Sequence, residues 1–177
     1  MNSKMQSEIK IPKERIAVLI GEKGSTKRKI QSKTGCKITI SSKEGDVLIE
    51  SEDNFNVFLV EKIIKSVGRG FNPEIALKLL NEDYVFELLN IQEYSGKSKK
   101  QEERIKARVI GTEGKARRNL ERLTNCYICV YGKTIGVIGK VEDLYLCKKA
   151  LEKLLQGSPH TNVYKWIEEQ KHKEILQ

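Results

Sequence analysis

Hydrophobic residues along the chain keep two spacings, an alternation over short stretches and a three-or-four-residue step over longer ones, and the series runs twice. Residues 8–11 alternate and predict a strand, closed by Pro12, which brings no N–H to a ladder. Ile16, Leu19 and Ile20 share one face of a helix over 14–20. A second helix over 25–34 stops at Gly35, a residue suited to the left-handed turn that closes helices. Strands over 37–41 and 46–51 and a helix over 54–67 complete the first series. Gly70-Phe-Asn-Pro73 breaks that helix and opens another over 73–81, since proline suits a first helical turn.

The second series starts with a strand over 85–91 and a polar stretch, Tyr94-Ser-Gly-Lys-Ser-Lys-Lys100, expected to be a mobile loop. Helices over 102–110 and 115–125, a strand over 127–131, a two-residue turn at Gly132-Lys133 and a strand over 134–139 follow. A helix over 141–155, the broken joint Gly157-Ser-Pro159 and a last helix over 162–176 close it. Tyr127, Cys129 and Tyr131, beside Phe86 and Leu88, make the outer face of this second sheet apolar, so that face is expected to be covered.

Two glycines three apart stand between the first two helices of each series. Gly21 and Gly24 bracket Glu22 and Lys23; Gly111 and Gly114 bracket Thr112 and Glu113. A bare glycine admits backbone angles other residues avoid and lets a ligand approach the main chain. The helix that follows offers free N–H groups to an anion. Lys27, Arg28, Lys29 and Lys33 line the first such helix, and Lys115, Arg117 and Arg118 open the second. The copies match further on, Ile30 with Leu120, Thr34 with Thr124, Cys36 with Cys126, and Ile38 and Ile40 with Ile128 and Val130. A repeat of this length predicts two domains, 1–81 and 82–177, each a βααββα unit with an appended helix.

Composition changes the picture in one respect. Of 177 residues 32% are charged, and the formal charge of +9 with a pI near 9.3 points to a polyanionic partner. A solvated basic surface is the plain alternative for any single lysine, and the gathering of charge beside both glycine turns is what opposes it. The N-terminus lacks the apolar core of a signal peptide, so a cytoplasmic protein with four reduced cysteines is expected. Cys126-x-x-Cys129 is not read as a metal or redox pair, because a strand sends residues three apart to opposite faces. The turn at Gly111 is not a nucleotide-binding P-loop, since Ala116 stands where the hydroxyl residue belongs. His160 and His172 are the only histidines and have no nucleophile or ligand set around them, so no catalytic residue, metal or cofactor is expected.

The glycine turn feeding a cationic helix resembles a KH domain, whose GXXG loop clamps four backbone nucleotides of a single strand. The resemblance implies an α+β fold of two tandem type I KH domains, each a three-stranded antiparallel sheet backed by three helices, with an extra helix appended. It places RNA in a groove between the turn and its helices on one side and the second strand with the loop that follows it on the other. The first site would comprise Gly21, Glu22, Lys23, Gly24, Lys27 and Arg28, with Ile20 and Ile38 as an apolar floor. The second would comprise Gly111, Thr112, Glu113, Gly114, Lys115, Arg117 and Arg118. Glu113 stands where such loops carry a basic residue, and should weaken binding unless Lys115 and Arg118 offset it.

Arg108-Val-Ile-Gly-Thr-Glu-Gly-Lys115, Tyr131-Gly-Lys-Thr134 and Gly157-Ser-Pro-His160 are similar to the Dim-two (Partner-of-Nob) family of small-subunit ribosome assembly proteins, with an intact first turn as in archaeal members. What that implies is a non-catalytic RNA chaperone for the 3′ region of small-subunit ribosomal RNA or its precursor. Its implied partners are the PIN-domain nuclease Nob and the α subunit of translation initiation factor two. A general single-stranded RNA or DNA regulator, and a protein scaffold with vestigial RNA sites, are the other readings the residues admit.

Overall fold

In the computed structural model, residues 5–175 are described. Contacts divide the chain into two compact units, with the boundary along the chain between Glu82 and Asp83. In the first, β1 (Met5–Lys10), α1 (Lys13–Ile20), α2 (Ser25–Thr34), β2 (Lys37–Ile40), β3 (Asp46–Ser51) and α3 (Asn54–Gly68) follow in order. The strands pair antiparallel as β1-β3-β2, so β2 is an edge. Alternation along β2 and β3 turns Ile38, Val47 and Ile49 to one side, where they meet Leu19, Ile30 and the buried face of α3. Val57, Val60, Ile64 and Val67 of α3 recur at helical spacing and bury there. Each such side chain contributes about 1.5–3 kcal/mol when taken from water. Asp53 caps α3 by accepting the Phe55 N–H at 2.9 Å.

The helix expected over 73–81 is shorter. Asn72 caps α4 (Pro73–Ala76) by accepting the Glu74 N–H at 2.8 Å, and Leu77–Leu80 then tightens into a 3₁₀ turn that buries Leu79.

In the second unit β4 (Tyr84–Asn90), β5 (Tyr127–Tyr131) and β6 (Thr134–Lys140) pair antiparallel as β4-β6-β5. α5 (Gln92–Ser95), α6 (Lys99–Ile110), α7 (Lys115–Thr124), α8 (Val141–Leu155) and α9 (His160–Ile175) complete it. Helices take both ends of the loop expected over 94–100 and leave a turn over 96–98. Asn90 accepts the Gln92 N–H at 3.0 Å to start α5, and Ser98 accepts the Gln101 N–H at 3.3 Å to cap α6. Lysine-rich composition hid two capping residues. The last helix begins at His160, two residues earlier than expected, and Leu176, its expected end, lies outside the described residues.

The core of this unit gathers Ile105, Val109, Leu120, Ile128, Ile135, Val137, Leu151 and Leu154 with Val163 and Ile167 of α9. α9 therefore covers the helical side and not the outer face of the sheet. On that outer face Phe86, Ile138 and Tyr127 stand side by side across the strands. Ile138 is fully buried, Phe86 and Tyr127 are half-buried, and Leu88 is 43% exposed. The expected covering is partial.

Both units back-bond one threonine to its own helix: Thr34 donates to Ile30 O at 2.8 Å and Thr124 to Leu120 O at 2.7 Å. Cys36, Cys126 and Cys147 are buried free thiols. A hydrogen bond with Cys126, together with burial, raises the Cys147 pKa, so its sulfur stays protonated and packs as a small apolar group. Among the described residues no helix is long and apolar enough to cross a membrane, and no cluster of three metal-ligating residues forms.

Candidate nucleic-acid interface

The two glycine turns have nearly the same backbone. Gly21 lies at φ 75, ψ 171 and Gly111 at φ 72, ψ 173; Gly24 lies at φ 78, ψ 18 and Gly114 at φ 74, ψ 15. Between each pair a residue with a side chain takes a left-handed conformation, Lys23 at φ 48 and Glu113 at φ 52. An L residue there costs on the order of 1–2 kcal/mol, and strain of this kind gathers at ligand clamps. Each first glycine lies against the helix that follows. A Cβ on Gly21 would come within 2.7 Å of the Thr26 amide nitrogen, and one on Gly111 within 2.7 Å of the Ala116 nitrogen. The second glycine lies under an arginine, with Arg28 Nη1 3.4 Å and Arg118 Nη1 3.2 Å from the added Cβ. Glu22, Lys23, Thr112 and Glu113 are all exposed, so both turns present their middle residues to solvent.

Charge differs between the two. In the first turn, Lys23 and Arg28 are exposed and Lys27, one helical turn in, is half-buried. In the second, Glu113 sits 3.8 Å from Lys115, and Arg117 is 4.0 Å from Glu121. The expected offset of Glu113 therefore comes from Lys115, while Arg118 lies over Gly114. The Arg117 Nε is buried without a hydrogen-bond partner.

The apolar floor needs a correction. Ile38 is 2% exposed, because strand alternation turns it into the core beside its partner Ile49; it offers no surface to a base. Ile20, at the end of α1, is half-buried and does border the turn. Its counterpart Ile110 is 37% exposed and was not singled out from the sequence, although the repeat marks it. Along the edge strands the structure adds residues that no motif pointed to. Gln31 Oε1 accepts the Ile38 N–H at 2.8 Å, and Glu121 Oε1 accepts the Ile128 N–H at 2.8 Å. These bonds tie α2 to β2 and α7 to β5. By the same alternation, the half-buried Ile40 and Val130 turn their N–H groups away from the sheet as well.

The appended elements brace the helices that carry the turns. Arg15 of α1 donates to Val67 O and Phe71 O, each at 2.8 Å. Arg108 of α6 donates to Ser158 O at 2.6 Å and Leu154 O at 3.4 Å, and the His160 ring Nε2 donates to Arg108 O at 2.8 Å. That carbonyl lies in the last turn of α6, where no intrahelical donor reaches it.

A βααββα unit with a glycine turn opening a cationic helix, found twice, defines a tandem type I KH protein. Family models agree: residues 6–59 match the KH domain, and residues 85–172 match the eukaryotic type KH-domain of type I. The KH domain-containing protein MJ0443 of Methanocaldococcus jannaschii is 42% identical over 93% of this chain and 74% of its own. The RNA-binding protein pno1 of Drosophila pseudoobscura is 27% identical over 65% of this chain and 49% of its own. Dim2p from Pyrococcus horikoshii superposes with a TM-score of 0.85 at 41% identity, covering 93% of this chain and 99% of that one. A second structure from the same organism, an a/eIF2alpha–aDim2p–rRNA complex, gives 0.89 at 41% identity over 96% of each. The chain belongs to the Dim2/PNO1-type KH RNA-binding proteins, a family that is not catalytic.

Proposed function

We propose that the chain binds single-stranded RNA through its two GXXG turns, at the 3′ region of small-subunit ribosomal RNA or its precursor during ribosome assembly. The observation that carries this reading is the duplicated turn, alike within a few degrees in both units and strained in both at its third position. Phosphates would lie against the bare face of the glycines, with Lys23, Lys27 and Arg28 beside the first turn and Lys115, Arg117 and Arg118 beside the second. Bases would stack over Ile20 and Ile110 toward the outward-facing amides of β2 and β5. The archaeal relative described in complex with rRNA and a/eIF2alpha supports both the ligand class and the α subunit of initiation factor two as a partner. The PIN-domain nuclease Nob is the second partner in this reading.

The test compares a labelled oligonucleotide from the small-subunit rRNA 3′ region with a shuffled one of equal composition, at a single stated salt concentration. Tighter binding of the rRNA sequence by tenfold or more is expected. Equal affinity for both would overturn the ribosomal assignment, and no binding of either would overturn the RNA reading.

A further inference from the structure

The second unit carries a group of lysines that neither glycine turn uses. Lys97, Lys99 and Lys100 lie on the link into α6 and on its first turn, and Lys133 lies on the β5–β6 hairpin; all are exposed. Asn90 pairs with Thr134, and the Ile91 N–H donates to Lys133 O at 2.9 Å. The hairpin and the link into α6 therefore stand together at one end of the sheet. Glu102 senses the common field: a hydrogen bond from Lys106, then the charges of Lys133 and Lys99, hold its carboxyl below the usual range. Lys106 is committed to that carboxylate at 2.5 Å. Among the described residues none of the other four lysines is ion-paired. Glu93 and Glu103 are the remaining acidic groups nearby in sequence, and they leave a positive surplus.

Stability does not account for these lysines. Lys99 and Lys100 occupy the first turn of α6, where the helix dipole favours carboxylates and disfavours cations. A conflict of that kind is expected where function sets the residue. The first unit has no counterpart, since only Ile11 and Pro12 separate β1 from α1. The second glycine turn, with Glu113 paired to Lys115, is also the poorer of the two in free positive charge.

We propose that RNA held in the second groove continues past the hairpin that carries Lys133 onto Lys97, Lys99 and Lys100, which take its phosphodiester backbone. This rests on the RNA-binding reading above and extends its footprint. The edge strand of the groove ends at the hairpin that carries Lys133, so the path is continuous. α6, with 12 residues, separates Lys99 at its start from Gly111 by about 18 Å, so the phosphates bound there are not those held by the turn.

The test uses the full chain and fluorescence anisotropy with two labelled RNAs sharing one core, about 6 and about 14 nucleotides long, the shorter just filling a groove that takes about four. K97Q/K99Q/K100Q is compared with wild type and with K165Q/K171Q/K173Q, which removes equal charge from α9; circular dichroism checks that both variants are folded. The first variant should bind the long RNA about tenfold more weakly, with a salt slope smaller by about 2, and bind the short RNA as wild type does. The α9 variant should match wild type on both. Unchanged long-RNA binding, or a loss no greater than the α9 variant shows, would overturn the proposal while leaving the groove reading intact. If wild type binds neither RNA, both readings fall.

Discussion

Gly21 and Gly111 lie where a side chain has no room, and Gly24 and Gly114 lie where one has room but the wrong backbone. The difference predicts unequal costs. Gly114→Ala should lose about 1–2 kcal/mol from its left-handed conformation alone, since its nearest neighbour is the movable end of Arg118. Gly111→Ala should lose more, because the new Cβ also meets the Ala116 backbone. Urea denaturation of the two variants measures this, and equal midpoints would contradict it. At this scale the sequence was readable where glycine is obligatory. It was not readable at Ile38, where an apolar residue on a short strand suits either the core or a groove floor until the register with Ile49 is known.

Elements are joined by bonds that sequence spacing does not announce. Gln31 and Glu121 occupy matching positions and do the same work with different chemistry, an amide in one unit and a carboxylate in the other. Gln31→Ala should leave the Ile38 N–H, on the edge strand, without its partner. We expect a loss of about 1 kcal/mol and faster hydrogen exchange at that amide; unchanged exchange would show that water replaces the bond at no cost. Arg15 and Arg108 also share a task, bracing the joint to the appended helix, but from different turns of their helices. Ninety residues beyond Arg15 stands the buried Ile105, so aligning the repeats could not have paired the two arginines. His160, at the start of α9, bonds the last turn of α6, three residues before Gly111. His160→Ala should therefore weaken RNA binding at the second turn while leaving the first unaffected. Amide chemical shifts that move only within α9, and not at Thr112 to Gly114, would argue against that coupling.

Across the whole molecule, the charge of +9 is shared unequally between the two glycine turns. Lys23 is exposed on the first turn, whereas Glu113 occupies the same place on the second and is paired with Lys115. Replacing Glu22 and Lys23 with Asp should thus reduce RNA affinity more than replacing Thr112 and Glu113. Both variants should keep wild-type stability within about 0.5 kcal/mol, as exposed turn residues usually do. Titration at two salt concentrations tests this, and a larger loss from the second pair would reverse the ranking. By itself the sequence determined the duplicated βααββα order, the two glycine turns, the basic helices after them and the family, because periodicity, obligatory glycines and an internal repeat are properties of neighbours along the chain. Only the tertiary structure decided that Ile38 faces inward, that Gln31 and Glu121 bond the edge strands to their helices, that α9 packs on the helical side, and that Lys133 stands at the same end of the sheet as Lys97, Lys99 and Lys100. Those outcomes depend on which residues, distant along the chain, meet when strands pair and helices pack, and that meeting leaves no mark on local spacing.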